Sequence, residues 1–141
     1  MLSFSPGPRR KRWNLLDSFV MLTRSNRLTI AVAGLGNVGR ETARLLWTRR
    51  AQFSAAAGIE LRLAAVCDRR AGLEARRLGL PASVRRMRDW AALAADPGVD
   101  VVVELFGGID AARRLVLESL AAGKHVVTGN KQLLSRCWNE V

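Results

Sequence analysis

The sequence predicts an α/β fold, a parallel β-sheet with helices packed on both of its faces. Three observations lead there. Short β-branched runs alternate with stretches of helical period along most of the 141 residues. One run, VDVVVELF at 99–106, is almost continuously apolar, as suits a strand buried on both faces of a parallel sheet. Another, LTIAVA at 28–33, passes straight into the glycine turn GLGNVG at 34–39, which opens a helix.

That strand–turn–helix order makes the expected fold Rossmann-type and points to a dinucleotide. Gly34 permits the tight turn, Gly36 lets the backbone come close to a pyrophosphate, and Gly39 lets the helix pack closely on the strand. The free amides and positive dipole end of the helix then face the phosphates. A turn that binds nothing could carry the same glycines, but here the motif has the strand before it and the helix after it that binding requires.

The totals bound the other classes. At 141 residues there is room for one domain with a real core. Hydrophobic residues make up 49% and charged residues 25%, and no run approaches ~18 apolar residues, so a soluble domain fits and a membrane span does not. Cys67 and Cys137 have neither C-x-x-C nor metal-ligand spacing. No metal site is expected, and a reducing, cytoplasmic compartment fits better than a disulfide scaffold. The net charge of +11 raises the question of nucleic acid. The arginines come as scattered pairs, among them Arg49-Arg50, Arg69-Arg70, Arg85-Arg86 and Arg113-Arg114, without aromatic interleaving. A nucleic-acid surface is disfavoured, whereas an anionic cofactor would benefit from this field.

Residues 1–26, with SPGPRRKR, read as a disordered basic arm before a binding domain at 27–135 and a short tail at 136–141. The stretch NLLDSFVMLT is too short for a secretory core and is interrupted by Asp17; Met21 is the preferred start. A helix is expected over 38–51, with Leu45, Leu46 and Phe53 on its apolar face, followed by a frayed end and a loop to Gly58. The strand at 61–67 ends in Asp68, and an acidic residue there accepts hydrogen bonds from the adenosine ribose. Asp68 stands 29 residues beyond Gly39 rather than the usual ~20, a longer helix and loop taking up the difference. Arg69 can hold a 2′-phosphate that Asp68 would repel, so these residues leave NAD and NADP both open.

A helix over 70–78, closed by Gly79 and Pro81, and a short edge strand at 83–87 come next. Asp89 should cap the helix WAALAA, and Asp-Pro-Gly at 96–98 turns the chain. The central strand ends in Gly107-Gly108 at the carboxyl edge of the sheet, where ligands of open α/β sheets bind. Asp110 should cap the helix AARRLVLESLAA, which Gly123 ends. A last buried strand, HVVT at 125–128, brings Gly129, Asn130 and Lys131 to the same edge. Lys131, in a G-N-K turn, is placed to meet a carboxylate, carbonyl or phosphate. His125, the only histidine, stands far from any other candidate base and is expected to be structural.

Three segments, GLGNVG at 34–39, VCDRR at 66–70 and DPGVDVVVELFGGIDAARRLVLESLAAGKHVVTGNK at 96–131, together resemble the cofactor domain of homoserine dehydrogenase. The likeness spans about residues 28–135, and the last segment is its specific part. The resemblance implies reversible, NAD- or NADP-dependent interconversion of homoserine and aspartate 4-semialdehyde, a step toward threonine, methionine and isoleucine. It implies that Asn37 and Val38 line the dinucleotide site with the glycine loop, that Gly107 and Gly108 lie near the nicotinamide, and that Lys131 contacts cofactor and substrate. Members of the family are homo-oligomers. They continue through a substrate and dimerisation domain that carries the catalytic lysine, the carboxylates and a monovalent-cation site. Against them the fold expected here is incomplete and the main proton donor is absent. Gly129 departs from the usual T-A-N-K or T-P-N-K, and SRCWNEV does not follow the family pattern. The chain by itself is therefore expected to bind NAD or NADP weakly without turnover. The other readings are a stand-alone dinucleotide-sensing module, a related enzyme such as aspartate dehydrogenase, and an arginine-surface nucleic-acid module.

Overall fold

The alternating pattern folds, in a computed structural model that describes residues 26–141, into strands and helices taken in turn, except that the first helical stretch divides in two. In chain order they are β1 (Arg27–Ala33), α1 (Asn37–Thr48), α2 (Arg50–Ala57), β2 (Glu60–Cys67), α3 (Ala71–Arg77) and β3 (Arg85–Met87). They continue with α4 (Trp90–Ala95), β4 (Val101–Glu104), α5 (Asp110–Ala121), β5 (His125–Thr128) and α6 (Lys131–Cys137). The arm expected over 1–26, apart from Asn26, and the start at Met21 lie outside the described residues.

All five strands pair in parallel in the order β3-β2-β1-β4-β5. The chain runs outward from β1 to β3, then returns to the other side of β1 to lay down β4 and β5. That reversal opens a crevice at the carboxyl ends of β1 and β4. Helices lie on both faces, as expected. On one face, Val32, Leu35, Leu63, Val66 and Val84 pack with Ala43 of α1 and Ala75 of α3. On the other, Ala31, Ala33, Ala65, Cys67 and Val102 pack with Leu93 of α4 and Leu115 of α5. A smaller cluster joins Ala112 and Val116 of α5 to Leu133 and Cys137 of α6. Cys137 lies beyond the boundary expected at 135 and is buried in this cluster, with α6 running through the boundary without a break.

The amino edge of the sheet is fastened by polar staples. Thr29 N–H donates to Asp100 Oδ2 at 2.8 Å, and the buried Lys124 ammonium donates to the Val99 carbonyl at 2.8 Å and to the Asp96 carbonyl. These contacts give a charged side chain and two loop carbonyls their partners, which burial demands.

Several local expectations are corrected. The helix expected over 38–51 stops at Thr48, and the expected loop from Ala51 is a second helix, α2, ended by left-handed Gly58 at φ +70°. Its alanines favour helix whether or not they are buried, and the Arg50 guanidinium, 4.3 Å over the Trp47 ring, donates to the Trp47 carbonyl at the break. Asp110 is the first residue of α5 and makes no side-chain cap; Ile109 holds the cap position. Lys131 lies in no turn but opens α6, capped by Asn130. The run at 99–106 shortens to β4, where Val102 is buried but Val101 and Val103 are only partly so. β5 is an edge strand rather than a buried one, and His125 is exposed at its start. Asp89 does cap α4, accepting from Ala91 N–H at 2.8 Å.

Candidate functional site

The crevice at the carboxyl ends is built first by the glycine turn. Gly34 has φ +90°, and a Cβ there would come within 2.6 Å of the Leu105 carbonyl oxygen, so no larger residue fits. A Cβ on Gly39 would come within 1.7 Å of the Gly34 carbonyl oxygen, because the first turn of α1 lies directly on the loop. Gly36 differs. It has an ordinary φ of −69°, and a Cβ on it would meet no protein atom within 4 Å. It is also the N-cap of α1, and no side chain caps the helix there. The first amides of α1 therefore have no partner within the helix and open on free space. Both features fit a pyrophosphate seated over Gly36.

The turn is held by Asp68. Its Oδ2 accepts from Leu35 N–H at 2.9 Å and its Oδ1 from Arg70 N–H at 2.8 Å, while Gly34 N–H donates to the Cys67 carbonyl at 2.8 Å. The carboxylate thus ties β1 to β2 at the crevice and still offers one lone pair on each oxygen. The opposite wall follows β4. Leu105 N–H donates to the Ala33 carbonyl at 2.8 Å, and the fully buried Glu104 accepts from Phe106 N–H at 2.7 Å. The resulting cleft has a volume of about 820 Å³.

Of the residues expected in the site, Gly34, Gly36, Asp68, Arg69 and Gly107 line this cleft. Asn37, Val38 and Gly39 form the first turn of α1 beside it; Val38 is 65% exposed, and Gly39 is buried and serves packing. Gly108, at φ +89°, lies one residue beyond the lining, and Lys131 stands at the start of α6, tied to the same edge through Asn130. The lining also includes Arg70, the neighbour of Arg69, and Arg88, Trp90 and Phe106, which sequence reasoning missed. Arg88 and Trp90 follow β3, and only sheet pairing brings them beside β2. Three of the scattered arginines, Arg69, Arg70 and Arg88, thus meet at one cleft. Cys67 lines it as well, its thiol pushed up to about 11 by burial first and by Asp68 and Asp89 after that. It is an inert wall residue at neutral pH.

Arg40, another missed residue, stands on the α3 side of the first turn of α1. It donates to Asn37 Oδ1 at 2.8 Å and pairs at 3.5 Å with Glu74, which is fully buried and also accepts from Arg77 at 3.2 Å. Among the described residues no group of three or more His, Cys, Asp or Glu is arranged to hold a metal, and no helix is long and apolar enough to cross a membrane.

A family model described as the NAD binding domain of homoserine dehydrogenase matches residues 34–141. The chain belongs to the homoserine dehydrogenase family. It is the NAD-binding domain of that family, on a Rossmann-like five-stranded sheet. Homoserine dehydrogenase from Neisseria gonorrhoeae is 39% identical over 114 residues, which is 81% of this chain and 26% of the relative. The Methylobacillus glycogenes enzyme is 36% identical over 108 residues, 77% of this chain and 26% of the relative. Among solved structures, a homoserine dehydrogenase from Thiobacillus denitrificans superposes with a TM-score of 0.70 at 34% identity, over 81% of this chain and 26% of that one. The chain thus spans about a quarter of the length of these relatives.

Proposed function

We propose that the cleft holds the NAD or NADP of a homoserine dehydrogenase that interconverts homoserine and aspartate 4-semialdehyde in the cytoplasm. The observation that carries this reading is the open space over Gly36, bounded by the uncapped amides of α1 at the topological switch point of the sheet. Gly34, Gly36, Asn37 and Val38 hold the pyrophosphate, Asp68 accepts from the adenosine ribose, and Gly107 and Gly108 run along the nicotinamide half. Lys131 meets cofactor and substrate from the start of α6. When bound, the nicotinamide supplies reversible hydride exchange with the substrate carbon. The residues of this chain bind it and fix its orientation. A reacting carbonyl and a proton donor must also be positioned. By family likeness those groups belong to a part of the enzyme outside these 141 residues, so the chain by itself binds dinucleotide without turning over.

Fluorescence titration of the purified chain with NADH and NADPH, beside an assay of homoserine oxidation, tests this reading. Binding without turnover is expected. Measurable turnover overturns the second half, and failure to bind either dinucleotide overturns the first. Arg69→Ala separates the cofactors. Loss of a charge-assisted contact to a 2′-phosphate lowers NADPH affinity about tenfold or more and leaves NADH affinity nearly unchanged. Equal losses refute that role for Arg69.

A further inference from the structure

Glu104 ends β4 inside the sheet, fully buried, and both of its carboxylate oxygens accept hydrogen bonds. Oε1 takes Phe106 N–H at 2.7 Å, and Oε2 takes the hydroxyl of Thr128, the last residue of β5. The Thr128 oxygen in turn accepts Asn130 N–H at 3.0 Å, so its single proton is committed to the carboxylate. Asn130 then uses both ends of its amide. Its Oδ1 accepts Leu133 N–H at 3.0 Å and caps α6, while its Nδ2 donates at 2.6 Å to the carbonyl of Gly108. The bonds close a ring: from Glu104 along the β4 loop to Gly108, across to Asn130, and back through Thr128. The two loops are also in close apposition, since a Cβ on Gly129 would come within 2.9 Å of Leu105 Cδ2.

We propose that this ring is a positioning device, in which Asn130 fixes the Gly107–Gly108 loop and Lys131 relative to each other at the nicotinamide end of the cleft. The inference rests on the dinucleotide reading above and deepens it. Asn130 touches Gly108 directly and precedes Lys131 in the chain, so one side chain sets both. The adenosine half of the cleft, held by Asp68, lies outside the ring.

The test separates capping from positioning. Ser and Asp both cap helices well, so Asn130→Ser and Asn130→Asp keep the acceptor for Leu133 N–H while removing the side-chain amide that reaches Gly108. Each purified variant is titrated with ADP and with NADH and NADPH, and its melting temperature is recorded. ADP affinity should stay near wild type while affinity for the whole dinucleotide falls about tenfold, and the melting temperature should drop by only a few degrees, the scale of one lost internal hydrogen bond. Thr128→Val should reproduce the split in affinity at a larger cost in melting temperature, because it leaves the buried Glu104 Oε2 without its partner, and Thr128→Ser should keep wild-type binding, which keeps the test open should a residue-130 variant fail to fold. Parallel loss of ADP and dinucleotide affinity overturns the proposal, and so does unchanged dinucleotide affinity. A wild-type chain that binds neither ligand overturns the dinucleotide reading itself, a result distinct from either.

Discussion

Gly36 and Gly39 are three positions apart and are required for opposite reasons. At Gly39 the obstacle is the protein: a methyl group would overlap the Gly34 carbonyl, so Gly39→Ala is expected to lower stability by about 3 kcal/mol and to abolish dinucleotide binding with it. At Gly36 no protein atom stands in the way and the backbone suits any residue. Gly36→Ala should stay within about 1 kcal/mol of wild-type stability, the poorer N-cap offsetting the entropy gained from the unfolded chain, while weakening NADH and NADPH binding. Urea unfolding and dinucleotide titration of the pair check both halves. Cys67 supplies a prediction in pH. Burial favours its neutral thiol, so the folded state keeps that proton to about pH 11, above the ordinary 9.0. Its contribution to stability is therefore whole below about pH 9 and is lost as pH rises toward 11. Cys67→Ala should flatten that part of the stability profile, and a thiol reagent at pH 8 should leave the native Cys67 unmodified.

Between elements, the contact of α1 with α3 places a carboxylate where a hydrophobe would serve. Glu74 is fully buried, yet Arg40 and Arg77 keep their guanidinium groups partly in water, and one Glu74 oxygen lacks a hydrogen bond. Removing Glu74 strands no buried cation. Glu74→Gln should therefore cost only about 1 kcal/mol, and Glu74→Met, similar in volume, should be near neutral in denaturant unfolding, well below the loss from breaking a fully buried pair. Legibility differed among the elements. β1, α1 and β5 carry strong local signals and lie where the sequence pattern put them, β5 with its expected ends and the other two with ends adjusted by one to three residues. α2 was read as a frayed helix end and loop because it has little apolar period; it buries no residue of its own, its alanines favour helix, and Ser54 Oγ accepts from Leu61 N–H of β2 at 2.8 Å. Lys131 was read into a turn because the Asn130 cap shows itself only as a bond to Leu133, two residues past the end of that motif.

For the molecule as a whole, the sheet is covered unevenly. α1 and α3 cover one face over β1, β2 and β3, but on the same face over β4 and β5 Val103 is partly open and Val127 is 56% exposed on an edge strand. An exposed apolar edge is a template for further pairing. Light scattering over a concentration series should show self-association of the chain, reduced in Val127→Lys; an unchanged series would remove β5 as its cause.

The sequence by itself determined the alternation of strand and helix, the glycine turn, Asp68 at the end of the second strand and the family. Each is set by residues close together in the chain, through side-chain period, the sterics of glycine and a recognisable motif. Only the tertiary structure decided which distant residues share the site. Arg88 and Trp90 reach the cleft because β3 pairs with β2, and Glu104 joins Thr128 and Asn130 because β5 pairs with β4. These neighbours follow from the order of strands across the sheet, which depends on how crossovers bury both faces at once. No local pattern records that order.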